Sequence, residues 1–314
     1  MSERQDRPLV TFALIAYNQE RFVREAVKAA LSQEYAKLEI ILSDDSSTDS
    51  TFEIINSVAS DYSGFHEIVI NRNPVNLGLA KHFSKVVTRA RGEIIVVAAG
   101  DDISLPTRVS KTVEMLCADP EASFVSFTDI VIDEDGKERW RPKGEDFNKT
   151  RKIKLEDYIS GCAPHLSGAS RGFRKKVFDF FGDLLDTCPT EDTPYILRGL
   201  MIGHALISSE CGILYRQHEK NLSGAVSLHS MKIEAIKKQY IQDAEFALSA
   251  GLITEHSMFQ INNWAEKNYR RRVLSREFYR TPTKGKFFLH KIIPSNDMIF
   301  REKYDIFRSF FRRK

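Results

Sequence analysis

Two pairs of adjacent carboxylates could do chemistry in this chain. Asp44-Asp45 stands in "EIILSDDSSTDST" and Asp101-Asp102 in "GEIIVVAAGDDISLP", each directly after an apolar run. A third acidic pair, Glu191-Asp192, stands in "PTEDTPYILRGL". Like charges set side by side at the end of a buried segment repel, which is costly unless donors or a cation gather there. Helix capping accounts for part of the pattern, since Ser, Thr and Asp accept hydrogen bonds from free N–H groups at a helix start. It suits Ser46, Ser47, Thr48 and Asp49 better than it suits two strands ending on paired charges. Glu191 and Asp192 likewise suit a first helical turn with Pro194 early in it. Beside that stands a chemical reading, in which a carboxylate takes a proton from a hydroxyl.

Such residues need elements to position them. Apolar, strand-like runs at 9–17, 39–45, 66–72 and 92–100 alternate with amphipathic helical patterns at 20–33, 50–59 and 79–90. This alternation predicts a parallel sheet covered by helices on both faces, with ligands at the carboxyl ends of the strands. Tyr17, Asn18 and Glu20 close the first run, so three strand ends offer acidic or amide groups along one rim. Residues 123–228 are more mixed. They read as a strand at 123–133, a turn at 133–136, helical stretches in "VFDFFGDLL" and "EDTPYILRGLMIG", and a strand or hairpin at 204–216. From 229 the pattern turns helical, over 231–251 with Gly251 as a C-cap and over 257–279.

The 314 residues, 42% apolar and 28% charged, suit a soluble globular protein with a substantial core. The net charge of +3 is uneven, with a basic excess between Arg280 and Lys314 and a mildly acidic body. Phe307, Phe310 and Phe311 alternate there with Arg308, Arg312, Arg313 and Lys314, and "KGKFFLHKII" is similar. That mixture suits an anionic membrane surface, or aromatic packing back onto the domain or into a homodimer. Cys117, Cys162, Cys188 and Cys211 have no zinc spacing and read as reduced, mostly buried thiols of a cytoplasmic protein. No signal peptide and no membrane span are expected. Neither a G-x-G-x-x-G nor a Walker loop is present, which disfavours dehydrogenases and P-loop enzymes.

"PLVTFALIAYNQERFVREAVKAALSQEYAKLEIILSDDSSTDST", "NPVNLGLAKHFSKVVTRARGEIIVVAAGDDISLP" and "TEDTPYILRGL" resemble glycosyltransferase family 2, in order and spacing, from residue 8 to about 223. The resemblance implies a GT-A, Rossmann-like α/β nucleotide-diphospho-sugar transferase sandwich with a helical C-terminal extension. It implies a catalytic domain over 1–228, with a nucleotide-binding half at 1–122 and an acceptor-binding half at 123–228, followed by a basic-aromatic region at 229–314. The implied activity is inverting, metal-dependent transfer from a UDP- or dTDP-sugar to a glycan or lipid-linked acceptor hydroxyl, in bacterial surface polysaccharide assembly.

Carried over by position, Ala16, Tyr17, Asn18 and Glu20 would border the nucleoside, Asp45 would bond the base and Asp44 would shape the loop. Asn76 and Gly78 would approach the nucleotide. Asp102 would hold Mn²⁺ or Mg²⁺ and Asp101 would face the ribose or sugar. Asp192 would be the general base, with Glu191, Gly168, Ala169, Ser170, Arg198 and His218 near the acceptor, the diphosphate or the metal. Arg171, Arg174, Lys175 and Lys176 read equally as phosphate contacts or as a solvated face. Where the family often has Asp-x-Asp-Asp, this chain has Ala99-Gly100-Asp101-Asp102. The alternatives are a non-catalytic nucleotide-sugar or glycan-binding protein and a sugar-phosphate nucleotidyltransferase. The latter lacks its glycine-rich loop, and no nucleic-acid partner is expected. A cytoplasmic location follows, with the tail suited to the cytoplasmic face of the inner membrane.

Overall fold

The computed structural model describes residues 7–142, 149–164, 166–219, 221, 231–298, 300, 303–304 and 306–307. The chain divides into two compact units, residues 1–186 with 190–218, and 187–189 with 219–314. The expected boundary at 228 and most of the terminal aromatic-basic run (Arg308, Phe310, Phe311, Arg312, Arg313, Lys314) lie outside the described residues.

The first unit is built on one mixed sheet. Its strands are β1 (Val10–Ala16), β2 (Leu38–Asp44), β3 (Glu67–Arg72), β4 (Ile94–Ala99), β5 (Ile103–Ser104), β6 (Ala122–Ile132), β7 (Glu138–Trp140), β8 (Thr150–Ile153), β9 (Arg171–Arg174) and β10 (His204–Arg216). Its helices are α1 (Val23–Leu31), α2 (Thr51–Ser60), α3 (Leu79–Arg89), α4 (Arg108–Ala118), α5 (Leu155–Ser160), α6 (Lys176–Phe181) and α7 (Asp192–Ile202). The strand order is β3-β2-β1-β4-β9-β6-β10-β5, with β7 on β6 and β8 on β10. The first four strands are parallel, as the βα alternation requires. Beyond them the sheet is mixed, with β9 running antiparallel between β4 and β6. This four-residue strand is reached by a long excursion through β6–β8, so no local periodicity announces it.

Strand β1 is buried throughout, and apolar at every position but Thr11, because both its faces are covered. Val10, Phe12, Leu14 and Ala16 pack into one cluster with Val23 and Val27 of α1, Ile55 of α2 and Val109 and Val113 of α4. The alternate residues Ala13 and Ile15 are buried as well. Each large side chain sunk in this way contributes roughly 1.5–3 kcal/mol. Strand β3 lies at the sheet edge and is only half-buried, which explains its weaker apolar pattern.

The second unit contains α8 (Ile233–Ser249), α9 (Glu255–Arg280) and α10 (Lys284–Phe287), which runs on into a π-helical turn at Phe288–Ile292. Gly251 follows α8 at φ 72°, the left-handed conformation of a C-cap. Phe278, Ile292, Met298 and Ile306 form a small core with Phe287 and Phe288 packed against it. Three of the five apolar residues of "KGKFFLHKII" therefore turn inward, while Leu289 and Ile293 stay exposed. All four cysteines are free, but only Cys188 is buried, and Cys117 and Cys162 are exposed, which corrects the expectation of mostly buried thiols. Among the described residues no helix is long and apolar enough to cross a membrane.

Candidate functional site

The carboxyl ends of β2, β1 and β4 lie side by side, and the loops that leave them are knitted together. Asp45 N donates to Ala16 O at 2.9 Å, and Gly100 N donates to Ile15 O at 3.0 Å. After β1, Asn18 N donates to Ser47 Oγ (2.9 Å) and Asn18 Oδ1 accepts from Thr48 N (2.9 Å). Glu20 Oε2 accepts from Ser50 N at 3.0 Å, so Glu20 serves the loop before α2. Among the described residues, the two non-glycine positions at positive φ are Asn18 (51°) and Ser46 (62°), both in these loops. Strain of that kind persists where surrounding bonds over-determine it, and it gathers at functional sites. Tyr17, just before Asn18, leaves its side chain exposed.

Asp44 and Asp45 have separate tasks. Asp44 is fully buried and turns the chain, accepting from Ser47 N (2.9 Å) and from Ser47 Oγ, with the Arg72 guanidinium 3.6 Å away. Asp45, also buried, faces the loop after β3. Its Oδ1 accepts from Asn73 Nδ2 (2.8 Å) and Leu77 N (3.0 Å), and its Oδ2 accepts from Gly78 N (2.9 Å). Gly78, at φ 79°, caps α3 in a backbone conformation that favours glycine, and Asn76 Oδ1 also accepts its N–H. Lys85 braces Asn73 from behind at 2.9 Å. Beneath, His82 Nε2 meets Ser43 Oγ at 2.7 Å, and burial holds this imidazole below its ordinary range.

The loop after β4 carries the second pair. A side chain at Gly100 would put Cβ 2.8 Å from Ala16 Cβ and 2.5 Å from Gln19 Oε1, so close approach accounts for the glycine in Ala99-Gly100-Asp101-Asp102. Asp102 is 6% exposed. Its Oδ1 accepts from Arg216 N at 2.8 Å. Burial, then the adjacent Asp101 charge, pushes its carboxyl well above the usual carboxylate range; Asp129 of β6 adds to this and Arg108 opposes it. Asp101 Oδ2 meets His218 Nε2 at 3.0 Å, and the His218 ring lies 4.8 Å from that of Phe22. His218 thus reaches the acidic loop through Asp101.

Two arginines that sequence reasoning passed over organise this loop. Arg216 donates from Nε to Asp101 O (3.0 Å), from Nη1 to Glu134 O (2.9 Å), and from Nη2 to Glu25. Arg108 is 1% exposed and donates to Ser104 Oγ (2.8 Å), Val97 O (2.6 Å), Ala169 O (3.1 Å) and Arg171 O (3.1 Å). Burial pulls its guanidinium down to about 10, against the charges of Asp129 and Asp102. A signal existed only for Arg216, a charge that directly follows the apolar run at 212–215.

The acceptor-side residues arrive through β9. It pairs antiparallel with β4 from Arg174 opposite Ile94 to Gly172 opposite Val96, so the chain before β9 points to the carboxyl end of β4. Arg108 Nη2 donates to both Val97 O and Ala169 O, which draws the turn at 167–170 to that end. Gly168 touches Asp192 at the start of α7, since a Cβ there would lie 3.3 Å from Asp192 Oδ2. Asp192 Oδ1 accepts from Thr190 Oγ1 (2.8 Å) and Thr193 N (2.6 Å). Glu191 Oε2 is buried without a protein partner. Burial, then the Asp192 charge, raises its carboxyl to about 7, with Arg171 pulling the other way. Asp45, Tyr17, Asp101, Asp102, Gly168 and Asp192 thus form one row along a single sheet edge.

Other candidates stand apart. Ser170 Oγ donates to Phe127 O (2.7 Å) and accepts Phe127 N, fastening β9 to β6. Arg198 donates to Gly182 O (2.7 Å) and stacks on Phe181 and Tyr195. Arg174 donates to Ala122 O (2.8 Å), and Lys175 pairs with Asp179 (2.6 Å). Asp119, Glu121 and His204 bring ligand atoms within 4.8 Å of one another, but at the opposite, amino end of β6 and β10.

A Rossmann-like mixed sheet with acidic loops on its carboxyl edge defines a GT-A fold, and the comparisons agree. The model of "Glycosyl transferase family 2" matches residues 11–181, and the chain belongs to that family. It is 36% identical over 129 residues to "Putative glycosyltransferase EpsE" of Bacillus subtilis (strain 168), which covers 41% of this chain and 46% of that protein. It is 32% identical over 127 residues to "UDP-Glc:alpha-D-GlcNAc-diphosphoundecaprenol beta-1,3-glucosyltransferase WfaP" of Escherichia coli, covering 40% of this chain and 48% of that protein. The matches thus span less than half the length of these curated relatives. Among solved structures, S. aureus TarS 1–349 in complex with UDP-GlcNAc superposes with a TM-score of 0.62 over 90% of this chain and 76% of that chain, at 16% identity. That likeness concerns the fold.

Proposed function

We propose that the chain is an inverting, metal-dependent glycosyltransferase that moves a sugar from a UDP- or dTDP-sugar to a hydroxyl of a glycan or lipid-linked saccharide, in bacterial surface polysaccharide assembly. The observation that carries this reading is the row of Asp45, Asp101–Asp102 and Asp192 along one edge of the sheet, in a member of family 2. The named activities of WfaP and the nucleotide sugar bound to TarS support it. The first compact unit, with the described site residues, would be the catalytic domain, extended to 228, and 229–314 a separate helical region.

In this reading a pyrimidine ring N–H meets Asp45 Oδ2, which takes one hydrogen bond from Gly78, while Tyr17, Asn18 and Asn76 border the nucleoside. Two strand spacings separate β2 from β4, about 10 Å, so a nucleoside lies across β1 with its phosphates toward Asp101 and Asp102. The residues there fit a divalent cation, because a buried carboxyl crowded by Asp101 and Asp129 resists ionising without one. Asp102 would hold Mn²⁺ or Mg²⁺, with Asp101 and His218 beside it. When bound, the ion stabilises negative charge on the departing diphosphate. Asp192 takes the acceptor proton as the hydroxyl attacks from the opposite face. Glu191, protonated below about 7, leaves a single negative charge on the pair in that range. The exposed Leu289 and Ile293, beside Lys286 and Lys291, support a contact between the C-terminal region and an anionic membrane.

The test is nucleotide release from a panel of sugar nucleotides with Mn²⁺, Mg²⁺ or EDTA. Wild type should release nucleotide from one donor in a metal-dependent way. Asp102→Ala should abolish release, and Asp192→Asn should abolish transfer while donor binding survives. Silence of the wild type with every donor, together with no thermal shift by UDP or dTDP plus Mn²⁺, would overturn the reading.

A further inference from the structure

The start of α7 contains a buried cation that the roles above leave unused. Arg171, the first residue of β9, is 2% exposed. Its Nε donates to Ser167 O at 2.8 Å and its Nη1 donates to Asp192 O at 2.6 Å. Its Nη2 is buried and has no protein partner. That nitrogen and Asp192 Oδ2 converge on one point, since a Cβ at Gly168 would lie 2.8 Å from the first and 3.3 Å from the second. Asp192 Oδ1 is already engaged by Thr190 and Thr193.

We propose that Arg171 is a positioning residue for the transfer step: it ties the Ser167–Gly168 turn to the first residue of α7, so that Asp192 presents Oδ2, rather than Oδ1, to the attacking hydroxyl. This rests on the transferase reading above. Three facts converge on it. The guanidinium grips two main-chain carbonyls from different segments, a task for which the planar fork of arginine is suited and the point charge of lysine is not. Gly168, lacking a Cβ, leaves the space that Nη2 and Oδ2 both face. The remaining N–H, itself buried, leaves a positive edge near the oxygen that takes the proton, while the half-buried Asp192 stays open to an incoming hydroxyl. The charged groups facing Glu191 are Asp192 on its own segment and Arg171 from β9, and the Arg171 charge opposes the rise of the Glu191 carboxyl.

The test compares wild type, Arg171→Met, Arg171→Lys and Gly168→Ala as full-length proteins, with UDP-glucose and UDP-GlcNAc plus Mn²⁺ as probes. Nucleotide release gives kcat and donor KM, and ¹³C-glutamate labelling follows the Glu191 carboxyl against pH. Arg171→Met should lower kcat about 100-fold with donor KM within about twofold, as a small misplacement of a reacting group does. Its Glu191 titration should move upward from about 7. Arg171→Lys should restore the titration by restoring charge, but not kcat. Gly168→Ala should lower kcat while the charge, and the Glu191 titration, stay as in wild type.

Two results overturn the proposal for Arg171 alone: a kcat loss fully restored by lysine, or an unmoved Glu191 titration with kcat and KM falling together in step with melting temperature. A wild type silent with every sugar nucleotide would instead remove the transfer step itself, and with it both readings.

Discussion

Asp45 and Asp102 are buried to nearly the same degree, at 2% and 6% exposure, yet they sit in opposite electrostatic surroundings. Asp45 is met by Asn73, Leu77 and Gly78, three donors that need an acceptor. Asp102 receives Arg216 N–H and is otherwise crowded by Asp101 and Asp129. Burial alone therefore says little about what a carboxylate is for. A carboxylate satisfied by its own protein suits recognition of a ligand that leaves the site unchanged. One held against its own charge suits a cation that arrives with the substrate.

The strongest way to break this comparison is to remove each carboxylate in turn. Asp102→Ala should reduce nucleotide release about 10³-fold or more, the scale on which a metal stabilises a leaving group. Asp→Asn at the two positions should separate them further. Asp45→Asn sets an NH₂ group against donors and should cost about 1–3 kcal/mol in chemical denaturation, with weaker UDP binding. Asp102→Asn keeps an acceptor for Arg216 N–H and removes the charge, so above neutral pH it should melt no lower than wild type while losing activity. A fall in stability at both positions would erase the distinction.

The Glu191 pair sharpens the same point through pH. Its carboxyl holds a proton up to about 7 in the folded state, against an ordinary value of 4.5. The native state therefore binds more protons at this group between these values, so its contribution to stability is fully present below about 4.5 and is lost as pH rises through about 7. The drop should be at most about 3 kcal/mol and should vanish in Glu191→Gln, as read by denaturation between pH 4.5 and 8. A further effect is steric: Gly100→Ala should cost about 1–3 kcal/mol by overpacking against Ala16, with UDP binding weakened through the same loops.

What could be read in advance was local. The apolar alternation located β1, β2 and β4 and helices α1 to α3 to within a few residues, because both signals live within one turn or one strand. The acidic strand ends stood out because charge after an apolar run is conspicuous. Arg108 and Arg216 did not, since each works through main-chain carbonyls distant in sequence. The helix at 108–118 also escaped notice, as did the antiparallel placement of β9, which depends on pairing with β4 and β6 and has no signature of its own. Cysteine burial was misjudged because Cys117 and Cys162 stand at and just past helix C-termini, a placement that depends on where the helices end and not on the preference of a thiol for the core.

The position of β9 has a mechanical consequence. It is hydrogen-bonded to β4 on one side and β6 on the other, so the strand feeding the Asp101–Asp102 loop and the strand leading from the turn at Gly168 belong to one continuous backbone ladder. There is no hinge between them in the sheet. Opening and closing around substrates would then fall to the loops, and the spacing between the two chemical poles would act as a fixed ruler for the distance over which a sugar can pass.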